Sequence, residues 1–281
     1  MLSLLLWFAC RPTPAPPQAS VPPPDPAAAT PITPAALTWT EVAPGVEHAW
    51  LRFDPEPKIG ANRLDVVRLD PNRVRLSATL RSAGQPEQTA QEACGGDGSV
   101  VVTNLGMFHP DGRHVGWTRH GEHVDQPTHV DDYRSWLLAG PRASGLPAMR
   151  VVDSDGPPAD VAAWTLASQN LRLIAHPGRS VWKDQPRRWS EAALGQDSAG
   201  RLLLLHTRAA WTMAELNAHL LTMPLGLVAA MHLEGGPEAS LSICTPSLQL
   251  HVGGGYESGF SDDTNTQQWP LPNLLRVTPL P

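Results

Sequence analysis

The chain predicts an α+β fold, a single domain with a mixed or antiparallel sheet and a few short helices. Short apolar or alternating runs recur through residues 38–281, separated by Pro, Gly, Asn and Asp at turn positions. Only two capped helix starts interrupt them. Strands and helices also fail to alternate in the βαβ order that a parallel sheet requires. With 281 residues and 41 % hydrophobic content, the chain can build one large core.

The elements follow in order. Met1 to Ala9 are almost wholly apolar and precede Cys10. This run is too short to span a bilayer as a helix, which needs about 20 residues. Residues 1–10 read instead as a secretory segment ending in a lipobox-like site, with Ala9 small and Cys10 available for acylation. Trp7 and the lack of basic residues ahead of the apolar run depart from the usual pattern, as a start placed downstream of the true one would produce. Residues 11–37 are a Pro/Ala-rich linker in which only Arg11 and Asp25 are charged. Such a linker is an extended tether. The expectation is an exported protein: a bacterial cell-envelope lipoprotein tethered to the membrane through Cys10, or a periplasmic or extracellular protein.

Within residues 38–281, Arg63–Leu69 and Val74–Leu80 flank Asp70-Pro71-Asn72 and read as a β-hairpin. In the second run Val74, Leu76, Ala78 and Leu80 share one face. Thr89-Ala90-Gln91-Glu92 is a capping box that starts a short helix. Ser99–Thr103 is an unbroken strand pattern compatible with burial on both faces. Residues 112–160 are irregular and read as long loops with short strands. Ala192–Gln196 and Arg201–His206 bracket Asp197-Ser198-Ala199-Gly200 as a second hairpin. Thr212-Met213-Ala214-Glu215 caps a helix whose apolar face is Met213, Leu216, Leu220 and Leu221, ended by Pro224. Val228–Leu233, Ala239–Cys244, Leu248–Val252 and Leu274–Thr278 are the remaining strands. Cys94 and Cys244 can pair in an oxidising compartment, but spacing alone leaves the bridge open.

A formal net charge of −6 removes the electrostatic footprint of a nucleic-acid binder. Ten tryptophans stand against two tyrosines. Sugar clefts use indole faces, although core packing is their commoner use. No Gly-x-Ser-x-Gly elbow, Walker A loop or dinucleotide fingerprint occurs. No cofactor is expected.

The pattern with most chemical content is Glu234-Gly235-Gly236-Pro237-Glu238, where an apolar strand delivers a carboxylate to a glycine turn. Upstream stand Asn104-Leu105-Gly106-Met107-Phe108 after a strand, and Arg187-Arg188-Trp189-Ser190-Glu191-Ala192-Ala193-Leu194-Gly195. Pro272-Asn273 precedes the last strand. In this order, over roughly residues 45–280, the chain resembles the phosphodiester glycosidase domain family. That family is marked by an Asn-Gly-Gly-Phe-Phe-like turn, an Arg followed by Ala-Ile-Gly, and an Asp-Gly-Gly-Gly-Ser loop. The chain departs from these marks at Leu105, at Glu234 in place of Asp, and at Pro237-Glu238-Ala239-Ser240.

The resemblance implies a hydrolase that cleaves a sugar-1-phosphodiester, with a carbohydrate or glycosyl phosphate as partner. Glu234 is the first candidate for the catalytic carboxylate and Glu238 the second, the latter weighed against a solvated turn residue. Glu257 is a third, on a loop. Arg188 is the expected phosphate clamp, with Arg187 pointing away if the segment is extended. Asn104 either bonds a sugar hydroxyl or ties the turn together. The N–H groups of Gly235 and Gly236 could form an anion nest. Gly106, Phe108, Ser240 and Asn273 complete the expected substrate-binding set, with core packing the alternative for Phe108.

Two rival readings remain. The departures at 105, 234 and 237 suit a catalytically inactive carbohydrate-binding envelope protein. His109, His114, His120, His123 and His129, with His232 two residues before Glu234, suit a metal-dependent phosphodiesterase. They lack the tight helical His-Glu-x-x-His spacing, and a solvated His-rich loop explains the stretch as well.

Overall fold

The structure, a computed structural model, describes residues 37–259 and 263–281. The lipobox-like segment with Cys10, and the linker up to residue 36, lie outside the described residues. The described residues form a mostly-β fold rather than α+β. They hold seventeen strands but only two α-helices, Ala90–Ala93 and Met213–Thr222. Every strand pairing among them is antiparallel. Both helices start at the capping boxes visible in the sequence, Thr89 with Glu92 and Thr212 with Glu215. The helical signals were sound, and the strand content was underestimated. Much of the excess is Trp164–Ala175, a twelve-residue strand buried over most of both faces. Burial on two sides removes the alternation that marks a strand.

The strands form a twelve-stranded and a five-stranded sheet. The path through the larger runs Thr40–Ala43, Val46–Leu51, Leu64–Leu69, Leu202–Trp211, Trp189–Asp197, Leu227–Gly235, Trp164–Ala175, Thr118–His120, His123–Gln126. The smaller runs Gln249–Gly253, Ser240–Cys244, Val101–Asn104, Asn273–Pro279, Val74–Leu80. One core joins them: Val67, Leu194, Leu204, Met231 and Leu233 from the large sheet meet Leu76, Val101, Leu241, Ile243 and Val277 from the small one. The second face of the large sheet is covered by helix Met213–Thr222, whose Met213, Leu216 and Leu220 pack on Leu64, Val66, Leu203 and Leu205. Coverage of both faces accounts for the four consecutive leucines Leu202–Leu205. Helix Ala90–Ala93 closes the outer face of the small sheet against Val102 and Leu274.

The hairpin at Asp197–Gly200 forms as expected, Gln196 opposite Leu202. The one expected at Asp70–Asn72 does not. Leu64–Leu69 pairs with Val46–Leu51 and Leu202–Trp211, whereas Val74–Leu80 pairs with Asn273–Pro279. The Pro-Asn turn is a crossing between sheets. Alternation reports which face of a strand is buried, not which strand lies beside it, and here both strands fill the same inter-sheet core.

Cys94 and Cys244 form a disulfide, with Cα atoms 6.0 Å apart and 150 positions between them in sequence. The bond ties the end of helix Ala90–Ala93 to the end of strand Ser240–Cys244. Closing so long a loop restricts the unfolded chain strongly. Replacing both cysteines by serine should therefore lower unfolding stability by about 2–4 kcal/mol. Chemical denaturation of oxidised wild type and variant measures this, and thiol titration of the unfolded wild type should find neither sulfur free.

Candidate active site

The site forms where the chain leaves the large sheet for the small one. Strand Leu227–Gly235 buries Ala230, Met231 and Leu233 and pairs with Trp189–Asp197 on one side and Trp164–Ala175 on the other. Near its end the register slips: Ala193 faces His232, but Ala192 faces Glu234, leaving Leu233 extra. Such a bulge re-aims the side chains that follow it. Gly236 then takes φ +68°, a conformation that L side chains rarely adopt, and the short turn Gly236–Glu238 leads into Ser240.

Asn104, at the end of the buried strand Val101–Asn104, holds this crossing. Its Nδ2 donates to the Glu238 carbonyl at 3.0 Å, and its Oδ1 accepts from the Ser240 N–H at 2.8 Å and the Ser240 hydroxyl at 3.3 Å. Of the two roles open to Asn104, the structure gives it the tie. It is buried and so is Ser240, and neither reaches the cavity. The segment around Tyr256 closes the other side, with the Ser190 N–H bonded to the Tyr256 carbonyl and the Ser258 N–H to the Arg188 carbonyl.

Between these elements opens a cavity of about 440 Å³. Glu234, Glu238, Glu257, Gly235 and Phe108 line it, as sequence reasoning grouped them. Trp182 and Trp189 add two indole rings, and Met107, Val115 and Leu171 complete an apolar wall. Gly235 is required for close packing, since a Cβ there would come 2.5 Å from the Trp189 ring. Stretches near 107, 187 and 234, far apart in sequence, thus meet at one solvent-reachable hollow.

The structure departs from five expectations. Arg188 turns away from the cavity and pairs with Glu215 of the second helix at 2.6 Å. Arg187 lines the cavity instead, bonded to Glu257 at 2.8 Å and 5.8 Å from the Trp189 ring centroid. The opposite orientation of the two arginines was foreseen, but their assignment to faces was reversed. The Gly235 N–H is not free for an anion, because it donates to Glu234 Oε1 at 3.1 Å. Gly106 does not line the cavity, and any side chain there would strike His114 and Asn170. Asn273 is buried and donates to the Gly112 carbonyl at 2.9 Å.

None of the histidines singled out in the sequence lines the cavity. His114 is fully buried against Gly116 and Ser168, His123 bonds Ser82 at 2.8 Å, and His129 bonds Asp131 at 3.1 Å. Among the described residues, no group of three or more His, Cys, Asp or Glu side chains is arranged to hold a metal ion. His232 pairs through Nδ1 with Glu191 Oε1 at 2.6 Å.

Burial dominates the electrostatics. It pushes the Glu234 carboxyl up to about 7 against the nearby His232 charge, with Glu238 and Glu191 adding to the rise. Glu238 is raised by burial and by Glu257. Tyr133 is pushed up to about 12 by burial and then by Glu234, which marks it as another neighbour of that carboxylate. Sequence reasoning did not single out Glu191, Tyr133 or the two indoles. Glu191 was findable as a carboxylate inside an otherwise buried strand, Ser190–Gly195. Trp189 adjoined the arginines in the same motif.

The family model for phosphodiester glycosidases matches residues 97–278. The chain belongs to the phosphodiester glycosidase family. Among solved structures, the catalytic domain of zebrafish N-acetylglucosamine-1-phosphodiester alpha-N-acetylglucosaminidase, auto-inhibited by pro-peptide, is similar with a TM-score of 0.57 and 12 % identity, covering 84 % of each chain. A hypothetical protein from Synechocystis has a TM-score of 0.50 and 14 % identity over 83 % of this chain and 62 % of its own. At such identities these likenesses establish the fold. A search of curated proteins found no matching sequence.

Within this family member, the raised Glu234 value carries a stability consequence. The folded protein holds the Glu234 proton up to about 7, whereas the unfolded chain releases it near 4.5. Between those values the native state binds more protons, so stability falls as pH rises through the window. Glu234→Gln removes the penalty. Its melting temperature should exceed that of wild type by a few degrees at pH 8 and approach it at pH 4, by calorimetry across that range.

Proposed function

We propose that this protein hydrolyses a glycosyl phosphodiester, with Glu234 as the base that activates water at the anomeric carbon. The observation that carries the reading is a carboxylate set rigidly at a strand end, inside an indole-walled cavity, with its proton affinity tuned close to 7. In an ordinary glycoside the departing alkoxide needs a proton donor. A phosphate monoester leaves without one, so the demand falls on the attacking side. Water adds to the anomeric carbon and gives its proton to Glu234, while the carbon–oxygen bond breaks and its electron pair departs on the phosphate oxygen. A base with a pKa near the working pH suits that task.

Arg187 is the anchor for the phosphate, in place of Arg188. It is the guanidinium at the cavity, and it must exchange Glu257 for the substrate's oxygens. Trp182 and Trp189 offer the apolar faces on which a sugar ring stacks. Export belongs to the same proposal, with Cys10 as a lipid anchor in a bacterial cell envelope. The apolar segment before Cys10 supports it, and so does the Cys94–Cys244 bond, which persists in oxidising compartments.

Two measurements test the chemistry. On a sugar-1-phosphodiester, kcat/KM should climb with pH through about 7 as Glu234 loses its proton, and Glu234→Gln should lower it by about 10²–10⁴ and flatten the climb. A rate that falls over that range would make Glu234 an acid. Equal background turnover in wild type and variant, with sugar binding retained, would favour the silent carbohydrate binder. Arg187→Ala should weaken binding of the phosphodiester by about ten- to a hundredfold, the worth of a charged hydrogen bond, and leave a neutral glycoside unaffected. Equal weakening of both ligands would remove Arg187 from phosphate recognition.

A further inference from the structure

Behind the cavity lies a buried carboxyl–imidazole pair that the proposed reaction does not use. Glu191 and His232 are 2 % and 4 % exposed and are bonded at 2.6 Å. Leu64, Ala193, Leu205, Leu216 and Leu220 surround the glutamate on the helix-covered side. Burying such a pair costs more than filling the same space with apolar side chains, and packing alone gives no reason to keep it.

Its connections run toward the site. Glu191 Oε2 accepts the Trp189 indole N–H at 3.0 Å, and that indole lines the cavity against Gly235. His232 stands just before the bulged residue Leu233, with Glu234 immediately beyond. His232 and Glu234 lie two positions apart at one strand end, where a protonated imidazole opposes the rise that burial gives the Glu234 carboxyl.

We propose that Glu191 and His232 are a positioning pair: Glu191 keeps the imidazole charged beside Glu234 and anchors the Trp189 ring. One carboxylate thereby serves both the base and the sugar platform. The inference rests on the reading of Glu234 as the base. The other groups facing Glu234 or the cavity are Glu238, Glu257, Arg187 and Tyr133, and each remains in place when the pair is altered. Without Glu191, buried His232 loses the partner that holds its proton. Glu234 then loses a neighbouring cation and keeps its own proton to higher pH.

The test uses Glu191→Gln, which retains shape and an acceptor for the indole but removes the charge. The Glu234 carboxyl, identified by the signal that Glu234→Gln deletes, is titrated by carbon-13 NMR in wild type and variant. Its midpoint should rise by about 1 pH unit, the low end of what loss of a nearby opposite charge produces. The ascending limb of kcat/KM should move with it, with KM little changed and activity regained at high pH. Glu191→Ala, which also frees the indole, should raise KM as well, and Glu191→Asp should restore part of both effects. The double variant Glu191→Gln/His232→Gln gives the same midpoint shift without an unpaired buried histidine. An unmoved Glu234 midpoint in both variants, with native near-ultraviolet circular dichroism, overturns the proposal, as does a loss of rate equal at every pH. Absent turnover in wild type would count against the hydrolase alone, because the carboxyl titration is read without it.

Discussion

The site depends on one crossing of the chain between two sheets. Antiparallel pairing holds the chain through Glu234 to Gly235, the last position of the strand, and the small sheet takes it again at Ser240. Between them the Asn104 side chain satisfies a carbonyl on one side and an N–H on the other. A buried polar group left unpaired costs about 1–3 kcal/mol, so both ends of this tie are fixed by the same requirement. The position of Glu238, the close approach of Trp189 to Gly235, and the opening of the cavity all follow from where the crossing is held.

The second constraint is electrostatic. The inter-sheet core is apolar, yet this corner collects Glu191, Glu234, Glu238 and Glu257, with His232 bonded to Glu191 and Arg187 to Glu257. Burial first, and then the neighbouring carboxylates Glu238 and Glu191, keep Glu234 within reach of neutrality at ordinary pH, at a cost in stability. The disulfide between the first helix and the small sheet lies in the region that receives the crossing. It offsets part of that cost by limiting the unfolded chain.

Much was legible before any coordinates. The capping boxes at Thr89 and Thr212 place both helices, because a hydroxyl three residues before a glutamate is a local solution to unpaired N–H groups. The hairpin at Asp197–Gly200 and the carboxylate at the end of the Val228–Leu233 run are legible for the same reason. Strand partnership was not, as Val74–Leu80 demonstrates, since its neighbour Asn273–Pro279 lies almost two hundred residues away. Trp164–Ala175 escaped because a strand buried on both faces carries no period. Glu234, Glu238 and Glu257, grouped from the sequence, line one cavity, and Arg187 lines it where the sequence pointed to Arg188. Extended backbone separates adjacent side chains without saying which of them faces inward.

What the sequence determined by itself is local: caps, turns, alternating faces, and the order of motifs that marks the family. These depend on residues a few positions apart, whose geometry is set by backbone sterics and nearby hydrogen bonds. Tertiary structure alone decided that Asn104 ties the crossing, that Arg187 rather than Arg188 meets the cavity, and that Glu191 sits against His232. Each of these joins atoms from strands that only sheet assembly brings together, and burial then assigns the charges.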